Sequence, residues 1–166
     1  FTHIPAVKTL MNSFYSTAKG RRASKFVGLE NYETLWLDAT FWKVFSNNII
    51  YALGVIPTSI LLSLAMALWV NSKIIGRPFL RFSYFLPTVL PLIAVGNIWL
   101  FFYAPGFGLI DQIVTSLGFS SLNILGSQES SLFGVMAVGI WKEAGFYMIF
   151  YLAGLQAIPP DLKEAA

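Results

Sequence analysis

The sequence contains no cysteine and a single histidine, His3. Without thiols there are no disulfides and no thiolate metal sites, and one histidine cannot build a histidine-based triad or metal cluster. Charge is also scarce, since only 11% of the 166 residues are Asp, Glu, Lys or Arg, against about 25% in a typical soluble domain. The net charge is +3, and no basic tract interleaved with aromatic residues indicates a nucleic-acid partner.

The content of hydrophobic residues is correspondingly high. They make up 56% of the sequence, aromatic residues make up 16%, and the mean hydropathy is +0.66. This composition predicts an all-α integral membrane protein. The chain begins at Phe1, without a signal-peptide pattern, and ends in DLKEAA. We therefore expect it to be an internal fragment of a longer protein.

Three apolar segments are long enough to cross the roughly 30 Å hydrocarbon core of a bilayer. We predict that they form three complete transmembrane helices, at residues 49–70, 82–103 and 132–158. Residues 1–15 have the composition expected for the end of an earlier span. The sequence thus predicts a polytopic helix bundle.

Basic residues near the spans suggest an orientation. The loop 71–81 holds Lys73, Arg77 and Arg81, and basic residues close to a span favour the cytoplasmic side. This places the loop 71–81 inside and the Gly/Ser-rich segment 104–130 outside. A further basic cluster before the first span is an objection to this orientation, and it comprises Lys19, Arg21, Arg22 and Lys25.

Prolines interrupt two of the predicted spans. Pro57 lies in the first, and Pro87 and Pro91 share one face of the second. Each proline removes a backbone donor and favours a kink. Neighbouring helices can satisfy the carbonyls that are freed, so the pattern suits a bundle around a pathway and many inert bundles as well.

Small and polar residues suggest helix contacts. Ser59, Ser63 and Ala67 are spaced at i, i+4 and i+8, which lets another helix approach closely, although chance in a Ser/Ala-rich helix gives the same pattern. Asn97 is the one strongly polar side chain deep in the second span. It suits an interhelical hydrogen bond or the lining of a pathway.

Lys142 and Glu143 stand side by side inside the third span. A charge at bilayer depth costs a few kcal/mol, and adjacent residues on a helix do not face each other, so each needs a partner elsewhere. We favour a hydrated cavity over a structural ion pair. Gly139, Glu143 and Phe146, at i, i+4 and i+7, share one face. A carboxylate that accepts hydrogen bonds from hydroxyls and a flat aromatic ring together suit a carbohydrate.

Four motifs in a fixed order carry a resemblance to a known family. YLAGLQAIPPDLKEAA ends the sequence, and FVGLENYETLWLDATFWKVFSNNIIY, RPFLRFSYFLPTVLP and GFGLIDQIV precede it in that order. The chain resembles, over nearly its whole length, the permease subunits of binding-protein-dependent ABC importers. The similarity is greatest to the carbohydrate-uptake type, which includes maltose and glycerol-phosphate permeases.

The resemblance implies a type I importer bundle of at least six helices, of which this chain supplies the end of the first through the fourth. It also implies a second permease subunit, a cytoplasmic ATPase dimer and an extracytoplasmic solute-binding protein, at the bacterial or archaeal plasma membrane. The face of Gly139, Glu143 and Phe146 matches a substrate-binding face in related sugar permeases, although a carboxylate there is not general in the family.

The end of the sequence matches the start of the family's EAA coupling loop, residues 159–166. The resemblance implies that this segment docks on the ATPase, with candidate coupling residues Asp161, Glu164, Ala165 and Ala166. No G-x-x-x-x-G-K-[ST] motif occurs in the sequence, so we expect ATP to bind the partner subunit, and we expect no cofactor in this chain.

Other functions remain open from the residues. An anionic solute such as glycerol phosphate would use Lys142 as a counter-charge. A secondary transporter would use Lys142 and Glu143 as a proton relay. An intramembrane enzyme with Glu143 as general base lacks a second catalytic group nearby, although such a base needs positioned partners.

Overall fold

The structure is a computed structural model that describes residues 3–17, 24–72, 74–127 and 130–159. Within these residues the chain forms seven α-helices and one isolated β-bridge, between Tyr15 and Phe26. The helices are α1 (His3–Asn12), α2 (Glu30–Leu37), α3 (Ala39–Asn71), α4 (Arg77–Val89), α5 (Leu92–Phe102), α6 (Leu109–Ser116) and α7 (Ser130–Ala157). The all-α prediction is confirmed.

The chain divides into two compact units, residues 1–49 and 50–166. In the first unit, the side chain of Asn31 donates hydrogen bonds to the main-chain oxygens of Ser13 and Tyr15, at 2.8 and 3.0 Å. These two bonds tie α2 to the turn that follows α1. At the start of α3, the rings of Trp36 and Trp42 meet edge to face, 4.7 Å apart. Such aromatic groups are typical of a membrane–water interface.

Two helices are long and apolar enough to cross a membrane, namely α3 with 33 residues and α7 with 28. The first contains residues 49–70 and continues without interruption past Pro57. The second contains nearly all of residues 132–158. Most of their surface is exposed in this chain, which is expected where lipid or further helices cover it.

The region 82–103 differs from the continuous helix that the sequence predicts. α4 ends at Val89, α5 begins at Leu92, and the two helices are bent by 102°. A proline disfavours the helical region for the residue before it, which accounts for the extended backbone at Leu90 but does not by itself explain the break. Leu90 accordingly has ψ 134° and Pro91 has ψ 140°. By length and composition, the two helices together suit either one broken span or a re-entrant loop.

The core of the second unit lies where α7 packs on α3 and α4. Met148 and Leu152 of α7 form a buried cluster with Ala67 and Val70 of α3. The small-residue stripe noted in the sequence, Ser59, Ser63 and Ala67, is fully buried at 0% exposure. Close helix packing therefore accounts for that spacing.

Candidate functional site

The face of α7 that carries Gly139, Glu143 and Phe146 runs through the middle of the helix. Gly139 is half-buried against α3, where a Cβ atom would come within 2.5 Å of the Tyr51 hydroxyl. The space beside this glycine is thus occupied by a phenol group of the same chain. Phe146 is 38% exposed and meets Phe150 edge to face at 5.0 Å. About two helical turns beyond the glycine, the face therefore presents exposed aromatic surface.

Glu143 lies between these two residues and is half-buried. Its carboxylate makes no hydrogen bond or ion pair with any residue that the structure describes. A carboxylate at the middle of a 28-residue apolar helix needs a partner, because an isolated charge at that depth is costly. Glu143 is therefore free to accept hydrogen bonds from a molecule outside the described chain.

Lys142 points to a different neighbour. Its ammonium donates a hydrogen bond to the main-chain oxygen of Thr88, at 3.3 Å. The hydroxyl of Thr88 in turn donates to the main-chain oxygen of Lys142, at 3.2 Å. This reciprocal pair joins α7 to the last turn of α4. The sequence offered no signal for this partner, because the two residues are 54 positions apart.

Asn97 is exposed on α5 and has no hydrogen-bond partner among the described residues. The interhelical hydrogen bond considered for it is thus not made within this part of the chain. The structure instead joins α5 to α7 by aromatic groups. Trp99 and Trp141 meet edge to face at 5.5 Å, and the Tyr103 hydroxyl donates to the main-chain oxygen of Gly134, at 3.0 Å.

A cavity of about 250 Å³ opens between α3, α4 and α7. Its walls are mostly apolar, and they comprise Leu62, Met66, Ser83, Tyr84, Pro87, Trp141 and Ala144. Glu143 and Phe146 are absent from this lining. The cavity therefore lies on a different side of α7 from the polar and aromatic face described above.

Asp111 organises the segment between α5 and α7, and sequence reasoning did not single it out. The residue is buried at 4% exposure. Its carboxylate accepts hydrogen bonds from the Ser121 hydroxyl and from the Leu122 and Gly106 main-chain N–H groups, each at 2.8 Å. These bonds lower the pKa of Asp111 below its usual 3.8, and the bond from Ser121 has the largest effect. The ionised carboxylate thus ties the turn before α6, at Gly106, and the segment after α6, at Ser121 and Leu122, to the first turn of α6.

The candidate coupling residues Asp161, Glu164, Ala165 and Ala166 lie outside the residues that the structure describes. Among the described residues, no group of three or more His, Cys, Asp or Glu side chains could hold a metal ion.

Several curated proteins are similar to the chain over most or all of its length. The trehalose/maltose transport system permease protein MalF of Thermococcus litoralis is 32% identical over 166 residues, covering 100% of the chain and 56% of the relative. The probable ABC transporter permease protein YurN of Bacillus subtilis is 29% identical, covering 100% and 58%. The sn-glycerol-3-phosphate transport system permease protein UgpA of Yersinia pestis is 30% identical, covering 98% and 55%. The chain thus spans a little over half the length of these relatives. No protein-family model matches it.

The fold also matches a solved structure, that of a bacterial ABC transporter involved in the import of the acidic polysaccharide alginate. The TM-score is 0.82 at 22% identity, over 99% of this chain and 55% of the other. A second structure, of a bacterial alginate ABC transporter in complex with an alginate pentasaccharide-bound periplasmic protein, matches with a TM-score of 0.76. At this identity the likeness establishes the fold.

Proposed function

Since this chain belongs to the family of ABC importer permease subunits, we propose that it forms part of the pathway by which a sugar crosses the membrane. It is an integral protein of the bacterial or archaeal plasma membrane. The solute is delivered by an extracytoplasmic binding protein, and a second permease subunit completes the pathway. ATP hydrolysis takes place on a separate cytoplasmic ATPase dimer, so this subunit is a transport component and not an enzyme.

The observation that carries the proposal is the carboxylate of Glu143, which has no hydrogen-bond or ion-pair partner among the residues that the structure describes. It lies halfway along a membrane-spanning helix, one turn from the exposed ring of Phe146. Ionisable groups at such a depth mark solute or ion pathways in membrane proteins. The carboxylate accepts hydrogen bonds from solute hydroxyls, and the ring covers the apolar C–H face of a sugar. On the same face, Gly139 has no side chain, and this leaves room for Tyr51 to pack beside it.

A second candidate is an anionic solute, because the relative UgpA is named as an sn-glycerol-3-phosphate permease. This candidate requires a cation on the pathway, and Lys142 is the cation next to Glu143 in the sequence. In this structure, however, its ammonium is bound to the Thr88 oxygen of α4. Within the described part of the chain, the side chain without a partner is the Glu143 carboxylate, which favours a neutral, hydroxyl-rich solute over an anion. Asn97, exposed on α5, is a further candidate for the pathway.

The test is solute uptake into membrane vesicles by the full transporter carrying Glu143→Ala. We expect uptake to fall while the permease still co-purifies with its ATPase, because the side chain faces the pathway. Glu143→Gln retains an amide oxygen that accepts hydrogen bonds, and it should restore part of the uptake. Gln156→Ala is the matched control, because Gln156 is an exposed polar residue of α7 about 140° away around the helix. Wild-type uptake by Glu143→Ala would exclude this residue from the pathway, and loss of assembly would indicate a structural role instead.

Coupling is proposed to run through residues 159–166. A carboxylate at Glu164 suits the N-terminal turn of a short helix that begins after Pro159 and Pro160, with Asp161 as a cap. We expect Glu164→Lys to uncouple ATP hydrolysis from uptake while the membrane bundle stays folded, and we expect Ala165 and Ala166 to belong to the same contact. ATPase stimulation by loaded binding protein is the measurement. Stimulation at the wild-type level in the variant would remove Glu164 from the coupling contact.

A further inference from the structure

The break between α4 and α5 leaves backbone oxygens without their usual helical donors. In a continuous helix, the oxygen of residue i accepts from the N–H of residue i+4. Pro91 has no N–H for the oxygen of Pro87. With extended backbone at Leu90 and Pro91, the described residues show no hydrogen bond from the Leu92 N–H to the Thr88 oxygen. Unsatisfied backbone oxygens at membrane depth cost several kcal/mol each. The broken form therefore needs another donor at the end of α4.

Proline alone does not explain the break. Pro57 lies inside α3 and Pro87 lies inside α4, and both helices continue past them. A proline-kinked but continuous helix was thus available at Pro91 as well, and in it the Leu92 N–H would bond to the Thr88 oxygen. Something at this position favours the 102° bend over the kink.

The side chain that meets the freed oxygen is that of Lys142, whose ammonium donates to the main-chain oxygen of Thr88. We propose that Lys142 is a positioning residue that holds α4 and α5 in the bent form, by donating to the Thr88 oxygen in place of the Leu92 N–H that is lost at the break. The positive charge of Lys142 is stabilising at the end of α4, because the C-terminal end of a helix carries partial negative charge and favours cations. α4 has no basic residue in its own last turn, so α7 supplies one.

The return bond makes the contact specific to one register of the two helices. The Thr88 hydroxyl donates to the main-chain oxygen of Lys142, one residue before Glu143. Three residues along α7, Gly145 packs so closely on α4 that a Cβ atom would overlap the main-chain oxygen of Tyr84. The bend and the position of the Glu143 face are thus fixed by the same contact. This role does not depend on which solute the permease carries.

The bend is measurable as a distance across the break. Spin labels at Phe82 of α4 and Phe101 of α5, both exposed, would lie roughly 28 Å apart along a continuous helix. With the two arms bent by 102°, the same positions lie roughly 15–20 Å apart. The experiment uses the full-length permease, assembled with its partner subunit and ATPase in lipid nanodiscs. The present sequence contains no cysteine, so the introduced pair is unique within it.

Three variants of the spin-labelled permease test the proposal. Lys142→Met keeps the stem and removes the ammonium, and we expect it to move a substantial share of the distance distribution to the longer value. Lys142→Arg keeps a cationic donor and should restore the short distance. Thr88→Val is the matched control, because it removes only the hydroxyl and leaves the Thr88 main-chain oxygen in place, so the short distance should persist. An unchanged distribution in Lys142→Met would overturn the proposal.

A measurement on the wild-type complex avoids any substitution. With ¹⁵N at lysine Nζ and ¹³C at threonine carbonyls, solid-state NMR should detect a dipolar coupling for a separation of roughly 4 Å. Absence of this coupling would also overturn the proposal. If Lys142→Met fails to assemble while Lys142→Arg and Thr88→Val assemble, the result supports a positioning role, because a side chain that only met solute would not be needed for assembly.

Discussion

Gly145 gives the sharpest test of the packing between α7 and α4. The residue is buried in α7, and a Cβ atom there would overlap the main-chain oxygen of Tyr84 and approach the Cα of Phe85. Main-chain atoms cannot rotate aside as the end of a side chain can. Gly145→Ala therefore requires α4 and α7 to separate. The separation would also lengthen the contact between Thr88 and Lys142, which lies one turn away.

The expected cost follows from two opposing terms. Overpacking of a tight contact costs typically about 1–3 kcal/mol, and alanine in place of glycine returns up to about 1 kcal/mol of helix propensity. The net expectation for Gly145→Ala is a loss of up to about 2 kcal/mol. Gly154→Ala is the matched control on the same helix, because an added Cβ there has no atom of the described residues within 4 Å, its own stretch of helix backbone aside. That variant should be neutral or stabilising by up to about 1 kcal/mol.

The assay is thermal or SDS-induced unfolding of the purified full-length permease, with both variants measured side by side. We expect Gly145→Ala to unfold earlier than wild type and Gly154→Ala to unfold at the same point or later. Equal midpoints for Gly145→Ala and Gly154→Ala would refute the close packing of α7 on the backbone of α4.

Three further predictions rest on other parts of the chain. Met148→Ala removes a side chain that is fully buried among α3 and α7, and it should destabilise the bundle by about 2 kcal/mol or more in the same unfolding assay; a neutral result would place Met148 outside the core. Asp111 has a lowered pKa in the folded chain, so its stabilising contribution is present above pH 3.8 and is lost as the pH falls through the folded value. Asp111→Asn should remove that pH dependence from the unfolding curve, and an identical curve would exclude the role of the ionised carboxylate. A cysteine at Ser120 should react with an impermeant thiol reagent from outside and one at Ser72 should not, and the reverse labelling would invert the orientation.

The sequence predicted the helices whose pattern is local and missed the contacts that join them. α3 and α7 follow from predominantly apolar stretches long enough to cross a bilayer, which can be read directly from the sequence even though Lys142 and Glu143 interrupt the second of them. The break at Pro91 was not predicted, because Pro57 and Pro87 show that proline by itself does not decide between a kink and a break. The deciding group, Lys142, comes from a helix more than 50 positions away.

The candidate site was likewise predicted only in part from the sequence. Periodicity placed Gly139, Glu143 and Phe146 on one face, because a helix fixes which residues share a side. It did not predict that Tyr51 packs beside Gly139. It also gave no direction for Lys142, because adjacent residues diverge on a helix and only the tertiary structure determines what each one meets.

The central claim is tested most directly by reconstituting the full-length permease with its partner subunit and ATPase in liposomes. Radiolabelled neutral mono- and disaccharides are compared with sn-glycerol 3-phosphate, with the binding protein on the outside and ATP inside. We predict uptake of a neutral sugar that requires both ATP and the binding protein, and that falls with Glu143→Ala. Uptake that needs neither ATP nor the binding protein and follows a proton gradient, or uptake of the phosphate ester alone, would contradict the account.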